Sequence, residues 1–269
     1  MALSVDGETD LDLENNEDAL GSDLSRFADY LFNNFFFPLR ASSAKTPQLT
    51  PLTHSAIQQA QGGGVQAFAG TTDRVDGDQA RDDDGNPLFS DPRFSSLEVA
   101  HILPHSLTAT DKGSLLPPSK AAALDILNMF DNGVIHLIEG DDIDRPQNAI
   151  TLTYDLHLDF GNFDIFFEAL PDQPHTYRIC SFLHPVILPG FPVTRTLYLS
   201  EDRTIEPPLP RLLALHRAIA HILHLSAAGD YIAKILRDPE WKDTKADGST
   251  ELGRLVTLRL GGWMEGISS

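Results

Sequence analysis

Between Ala149 and Phe160 the chain changes its hydrophobic period without an intervening loop. Ala149 to Leu152 reads as a short strand, Thr153 follows as a helix N-cap, and Asp155 falls in the first turn of a helix over 154–160. Asn148 stands just before that strand and His157 lies on the helix. Upstream, Ser96 to Leu103 (SSLEVAHIL) alternates as a second strand, ended by Pro104, with His101 at its end. Strand, long insertion, strand and short helix commit this region to an α+β arrangement with one histidine or asparagine at each junction.

The remaining elements are read in the same way. Arg26 to Leu39 (RFADYLFNNFFFPL) carries aromatics at helical spacing and predicts a core-docking helix that stops at Pro38. Residues 40–65, with Gly62, Gly63 and Gly64, have linker composition. A helix is predicted over 120–130, ending near Asn132 and Gly133, and a short strand over 134–138. An acidic turn is expected at 140–146, then strands at 163–168 and 176–182. Arg211 to Leu236 reads as a long helix broken near Gly229, and Leu252 to Leu260 as a strand.

Charge narrows the function. The 269-residue chain holds 20 Lys and Arg against 39 Asp and Glu, a formal net charge of −19, which disfavours gripping nucleic acid through bulk positive charge. The acid is not spread evenly. Residues 1–25 contain eight acids and no Lys or Arg and predict a disordered tail, while residues 72–91 contain seven acids against Arg74 and Arg81 and predict a solvated loop. The single cysteine, Cys180, excludes an intramolecular disulfide framework and fits a reducing, intracellular setting, nuclear or cytoplasmic. It reads as a small core residue. No apolar run reaches the about 18 residues of a membrane span, and the first residues lack the pattern of a secretory signal.

The segments LEVAHILPHSL (97–107) and NAITLTYDLH (148–157), in the order His101, Asn148, His157 with eight residues between the last two, resemble the HNH endonuclease family. The wider frame, from NNFFFPL through HLIEGDDIDRPQNAITL to LLALHRAIAHILHLSAAGDYI and DGSTELG, is similar to fungal proteins with an HNH nuclease domain and covers most of residues 26–265. The resemblance implies an α+β fold with a ββα-metal core over 96–182, an N-terminal helical arm and linker (26–71), the acidic loop (72–95) and a C-terminal helical extension (183–269). It implies metal-dependent phosphodiester hydrolysis, with His101 as general base, Asn148 as a metal ligand or an orienter of His101, and His157 as a metal ligand. The cofactor would be a divalent ion, Mg²⁺, Mn²⁺ or Zn²⁺, and the partner a nucleic acid, DNA before RNA.

Two positions depart from the family pattern. Ala100 stands where many members place a metal ligand before the base, and Gly161 where an acid commonly follows the helix histidine. A metal site would then recruit Glu98 or His105. Taken alone, Glu98 alternates toward water, His105 bonds locally after Pro104, and Glu139, Asp141, Asp142 and Asp144 read as an exposed turn. His216, His221 and His224 read as ordinary helix positions. Lys112, Lys120, Arg145 and Arg178 flank the motif as candidate phosphate contacts. The departures, with the acidic surface, also allow a protein that has lost nucleolysis and serves as a small-molecule biosynthetic enzyme or a scaffold.

Overall fold

A computed structural model describes residues 9–43, 97–110, 115–197, 205–237 and 251–263. Of the predicted linker (40–65), residues 40–43 are buried in a helix and the rest, with the aspartate loop, falls outside the described residues. Helix α1 spans Thr9–Leu31, so residues 9–25 are helical where their acidity predicted disorder. Leu20, Leu24 and Phe27 recur at helical spacing along its exposed length.

Pro38 does not end the helix, contrary to expectation. The chain loosens into a π turn at Phe32–Phe36, closed by Phe37 N–H to the Phe32 carbonyl, and continues as α2 over Phe37–Ser43. The π turn absorbs the N–H that Pro38 lacks. The side-chain amides of Asn33 and Asn34 donate to the carbonyls of Asp29 and Tyr30, both at 2.8 Å, just before it. This segment drives Phe35, Phe36, Phe37 and Leu39 into the core, where Phe35 and Phe36 meet Phe130 of α3 (Pro118–Phe130).

Strand β1 (Leu97–His101) pairs antiparallel with β2 (Ala149–Thr153), with Leu97 opposite Thr153 and His101 opposite Ala149. Their connection carries α3 and short 3-10 turns at His105–Leu107, Val134–Leu137, Gly140–Asp144 and Pro146–Asn148. The strand expected at 134–138 is therefore a 3-10 turn, entered through Gly133 at φ +82°. Helix α4 (Tyr154–Gly161) follows β2 at once and packs across both strands. Thr153 has extended backbone at the cap position but makes no side-chain capping bond.

A second antiparallel sheet runs β3 (Ile165–Ala169), β4 (Thr176–Ser181) and β5 (Val193–Thr196) in that order. β5 was not foreseen, and a boundary at 182 would cut this sheet. Helix α5 (Pro210–Leu225) lies on β3, and the break before α6 (Ala228–Arg237) comes at Ala227, with φ +56°, just ahead of Gly229. The two helices are bent by 80°, and among the described residues no single helix is long and apolar enough to cross a membrane. Residues 252–260, expected as a strand, lie in helix α7 (Glu251–Leu260); the Leu258 and Trp263 side chains then sink into the core.

Candidate functional site

β1 delivers His101 into the interior, where only 7 % of the residue is exposed. Its Nε2 lies 2.9 Å from Oδ1 of Asp144, itself 95 % buried. An ionised carboxylate can only accept, so Nε2 is the donor, and in the neutral ring Nδ1 then carries the lone pair. Nδ1 is buried and has no hydrogen-bond partner among the described residues. Asp144 reaches this position because the turn at Gly140–Asp144 leaves Glu139 and Asp141 outside while rotating Ile143 and Asp144 inward. The exposed turn read from the sequence holds for those first acids and fails for Asp144. His105 stands on the other side of the carboxylate, with Nε2 3.6 Å from Oδ2 of Asp144 and its ring 5.9 Å from that of His101.

Asn148 is fully buried, and its whole amide is engaged with backbone. Oδ1 accepts from Leu103 N–H at 2.9 Å, while Nδ2 donates to the carbonyls of Leu103 at 2.9 Å and Ile143 at 2.8 Å. Its own carbonyl accepts from Ile102 N–H at 2.9 Å. Asn148 thus clips the segment that leaves His101 to the segment that arrives at Asp144. It touches neither imidazole of the motif directly.

His157 meets a different partner. Its Nδ1 lies 2.7 Å from Oε2 of Glu98, with both side chains mostly buried. Glu98 therefore turns to α4 and not to open water. The structure gathers His101, Asp144 and His105 on one side and His157 with Glu98 on another, three residues or roughly 10 Å back along β1. Among the described residues no three His, Cys, Asp or Glu side chains form a metal shell.

The donors present decide how a divalent ion could fit. Asn148 offers little, since its oxygen already holds an N–H in a dry setting. One imidazole and one carboxylate in contact do fit a hydrated ion that takes one or two protein ligands and fills its shell with water and phosphate oxygens. Two cis ligands at about 2.1 Å stand about 3 Å apart, close to the Glu98 to His157 spacing. Gly161 cannot supply a third, because a Cβ there would meet the Ser43 carbonyl oxygen at 2.9 Å. α2 fills that space and is tied on both flanks: Ser43 Oγ donates to the Gly161 carbonyl, and Ser106 Oγ to Ser42 Oγ at 2.7 Å.

The basic candidates divide. Lys120 is 99 % buried, donates to the Ala109 carbonyl at 2.6 Å and lies over the Trp263 ring, so it is closed to a phosphate. Arg145 is half exposed and bonded to Asp142 at 2.8 Å, and Arg178 is exposed on β4. Lys112 lies outside the described residues. His216 is wholly buried between the rings of Phe160 and Phe163 and donates from Nε2 to the Phe160 carbonyl; burial pushes its pKa down to about 3. His221 and His224 pack on Phe182. Sequence reasoning missed Asp144 and discounted Glu98; the signal for each was a long-range partner, invisible to local pattern.

These elements define a strand–strand–helix unit with a buried imidazole at the end of the first strand and a second imidazole on the helix. Residues 74–168 match the family model described as HNH endonuclease, which supports an HNH-family protein carrying a nuclease domain in this part of the chain. No curated protein and no solved structure matches the chain.

Proposed function

We propose that the protein is a metal-dependent endonuclease of the HNH type whose unit Leu97–Gly161 adopts the ββα-metal arrangement. His101 is the general base: Asp144 fixes its tautomer and ring, and Nδ1, which has no partner among the described residues, takes the proton from the attacking water. That oriented but unpartnered nitrogen is the observation that carries the reading. Because Nδ1 is buried, it acts through one ordered water or after local opening of the surface above it. Asn148 positions the base by clipping its flanking segments.

Glu98 and His157 would hold the divalent ion, which when bound neutralises charge on the phosphorane and the departing 3′ oxygen. Two protein ligands favour Mg²⁺ or Mn²⁺ over Zn²⁺, which takes at least three. The substrate is nucleic acid, DNA before RNA, bound weakly by a chain this acidic, and the setting is intracellular. The resemblance to fungal HNH-domain proteins supports the same reading. Plasmid DNA incubated with the protein and each metal tests it: cleavage that vanishes in His101→Ala is expected. Cleavage surviving in His101→Ala, or none with any metal, sinks it.

A second reading has an observation of its own. The engaged amide of Asn148 and the near-complete burial of His101 also suit a fold that kept its polar network for packing and lost nucleolysis, serving as a small-molecule enzyme or scaffold. No metal-dependent rise in Tm, together with binding of a small apolar ligand, would favour it.

A further inference from the structure

The register of the β1–β2 hairpin decides which of its side chains share a surface. Opposed residues point to the same face, so His101 and its partner Ala149 lie on one face together with Val99 and its partner Thr151. Glu98, Ala100, Ile150 and Leu152 occupy the other, the face toward α4. The two faces differ in depth: Ala100, Ile150 and Leu152 are at most 1 % exposed, whereas Val99, His101, Ala149 and Thr151 keep between 4 and 9 %. The His101 face therefore lies just beneath the surface.

Two buried polar atoms on that face lack a hydrogen-bond partner among the described residues, Nδ1 of His101 and Oγ1 of Thr151. They are chemical complements. With Nε2 donating to Asp144, Nδ1 of the neutral ring can only accept, while the Thr151 hydroxyl carries a hydrogen that no described acceptor takes. Leaving both atoms dry costs the desolvation of each, so the pair calls for a group that accepts from one and donates to the other. Water is the smallest group that does both. His101 and Thr151 are diagonal neighbours, a relation that sets residues about 7–8 Å apart, and one water making two hydrogen bonds of about 2.8 Å spans what the side chains leave. Ala149, directly opposite His101, presents only a methyl group and leaves room beside the ring. The other orphaned atoms, on Thr108, His175 and His216, belong to other parts of the fold.

We propose that Thr151 is a positioning residue that holds the attacking water against Nδ1 of His101. The inference rests on the nuclease reading and names the group that places its nucleophile. Oγ1 donates to one lone pair of the water, and the water donates one hydrogen to Nδ1. The second lone pair is left to face the phosphate and form the new P–O bond. As it does so the O–H bond toward Nδ1 breaks, the proton stays on Nδ1, and the electron pair of the breaking P–O3′ bond leaves with the 3′ oxygen. Without the hydroxyl, the water turns about its single bond to His101 and the attacking lone pair loses its aim.

The test uses the full chain and two readouts, steady-state plasmid cleavage with Mg²⁺ or Mn²⁺ and a crystal structure fine enough to show ordered water. Thr151→Val keeps the shape and removes the hydroxyl, and should lower kcat by about 10- to 100-fold at unchanged KM. Thr151→Ser restores the hydroxyl without the methyl and should recover most of that rate, which a role in packing alone would not give. The crystal structure of the unsubstituted protein should place one water within about 3.2 Å of both Nδ1 and Oγ1. Unchanged kcat in Thr151→Val, no recovery in Thr151→Ser, or a crystal without that water overturns the inference. If the unsubstituted protein cleaves nothing, the nuclease reading falls, and the crystal still decides whether Thr151 and His101 hold a water between them.

Discussion

Nδ1 of His157 stands 2.7 Å from Oε2 of Glu98, so the imidazole on α4 and a carboxylate from the middle of β1 form one pair across the strand–helix junction. On the proposed nuclease reading the pair is where a cation would bind, since Ala100 and Gly161 offer no side-chain donor. Glu98→Gln should keep the hydrogen-bonding shape, remove the charge and weaken Mn²⁺ binding by about 10- to 100-fold. Calorimetric titration of the metal into both proteins checks this; equal affinities would assign the ion elsewhere.

Asp144 acts on His101 through orientation. Replacing it with Asn offers an amide whose NH₂ favours the wrong tautomer, and should lower kcat by about 10²- to 10⁴-fold with little change in KM. Steady-state cleavage rates measure the split. A loss confined to KM would place Asp144 in substrate binding.

Asn148 is the clip between the two approaches to that pair. Asn148→Ala strands three buried backbone groups, each worth about 1–3 kcal/mol when left unpaired, so unfolding free energy should fall by at least about 3 kcal/mol. Urea unfolding reads it. Asn148→Asp, which keeps the acceptor and loses both donors, should be nearly as damaging.

His216 makes the fold sensitive to acid. Its folded pKa, about 3, lies below the usual histidine value, so its neutral form is the one the fold requires. Stability from this residue is complete above about pH 6.5 and declines below it, by up to roughly 1.4 kcal/mol per pH unit, until about pH 3. Asp159 works against this: burial first, then Asp164 and Asp155, raise it to about 6, so its folded state gains relative stability as pH falls through that value. Urea midpoints between pH 7 and pH 4 should fall, and should fall less in His216→Phe, which keeps the stacking and cannot take up a proton.

Gly161 is a close-approach glycine. Gly161→Ala would place a methyl 2.9 Å from the Ser43 carbonyl oxygen and push α2 off α4, costing about 1–3 kcal/mol. Thermal unfolding measures it, and Gly161→Asp should do worse without restoring metal affinity.

Much of the strand–strand–helix unit was legible because its signals are local. β1, β2 and α4 follow from alternation, a Pro stop and an uninterrupted strand-to-helix change, and they lie within a residue or two of the expected limits. Asp144 was hidden among Glu139, Asp141 and Asp142, whose company speaks for water; a 3-10 turn and a histidine 43 residues away make it different. Val134–Leu137 and Glu251–Leu260 were misread for a related reason. Short apolar runs satisfy strand and helix periods alike, and only the surfaces they cover decide between them.

Residues 40–43 read as linker in sequence, yet α2 is fastened to the end of α4 by Ser43 and to the turn after His101 by Ser42. The stretch that matches the HNH model also stops at Glu168, near the end of β3, and so takes one strand of a three-stranded sheet. Excising residues 74–168 would therefore remove a brace from one side and tear a sheet on the other. The folded shape of the motif in this chain belongs to the assembled whole and is not portable with the matched stretch.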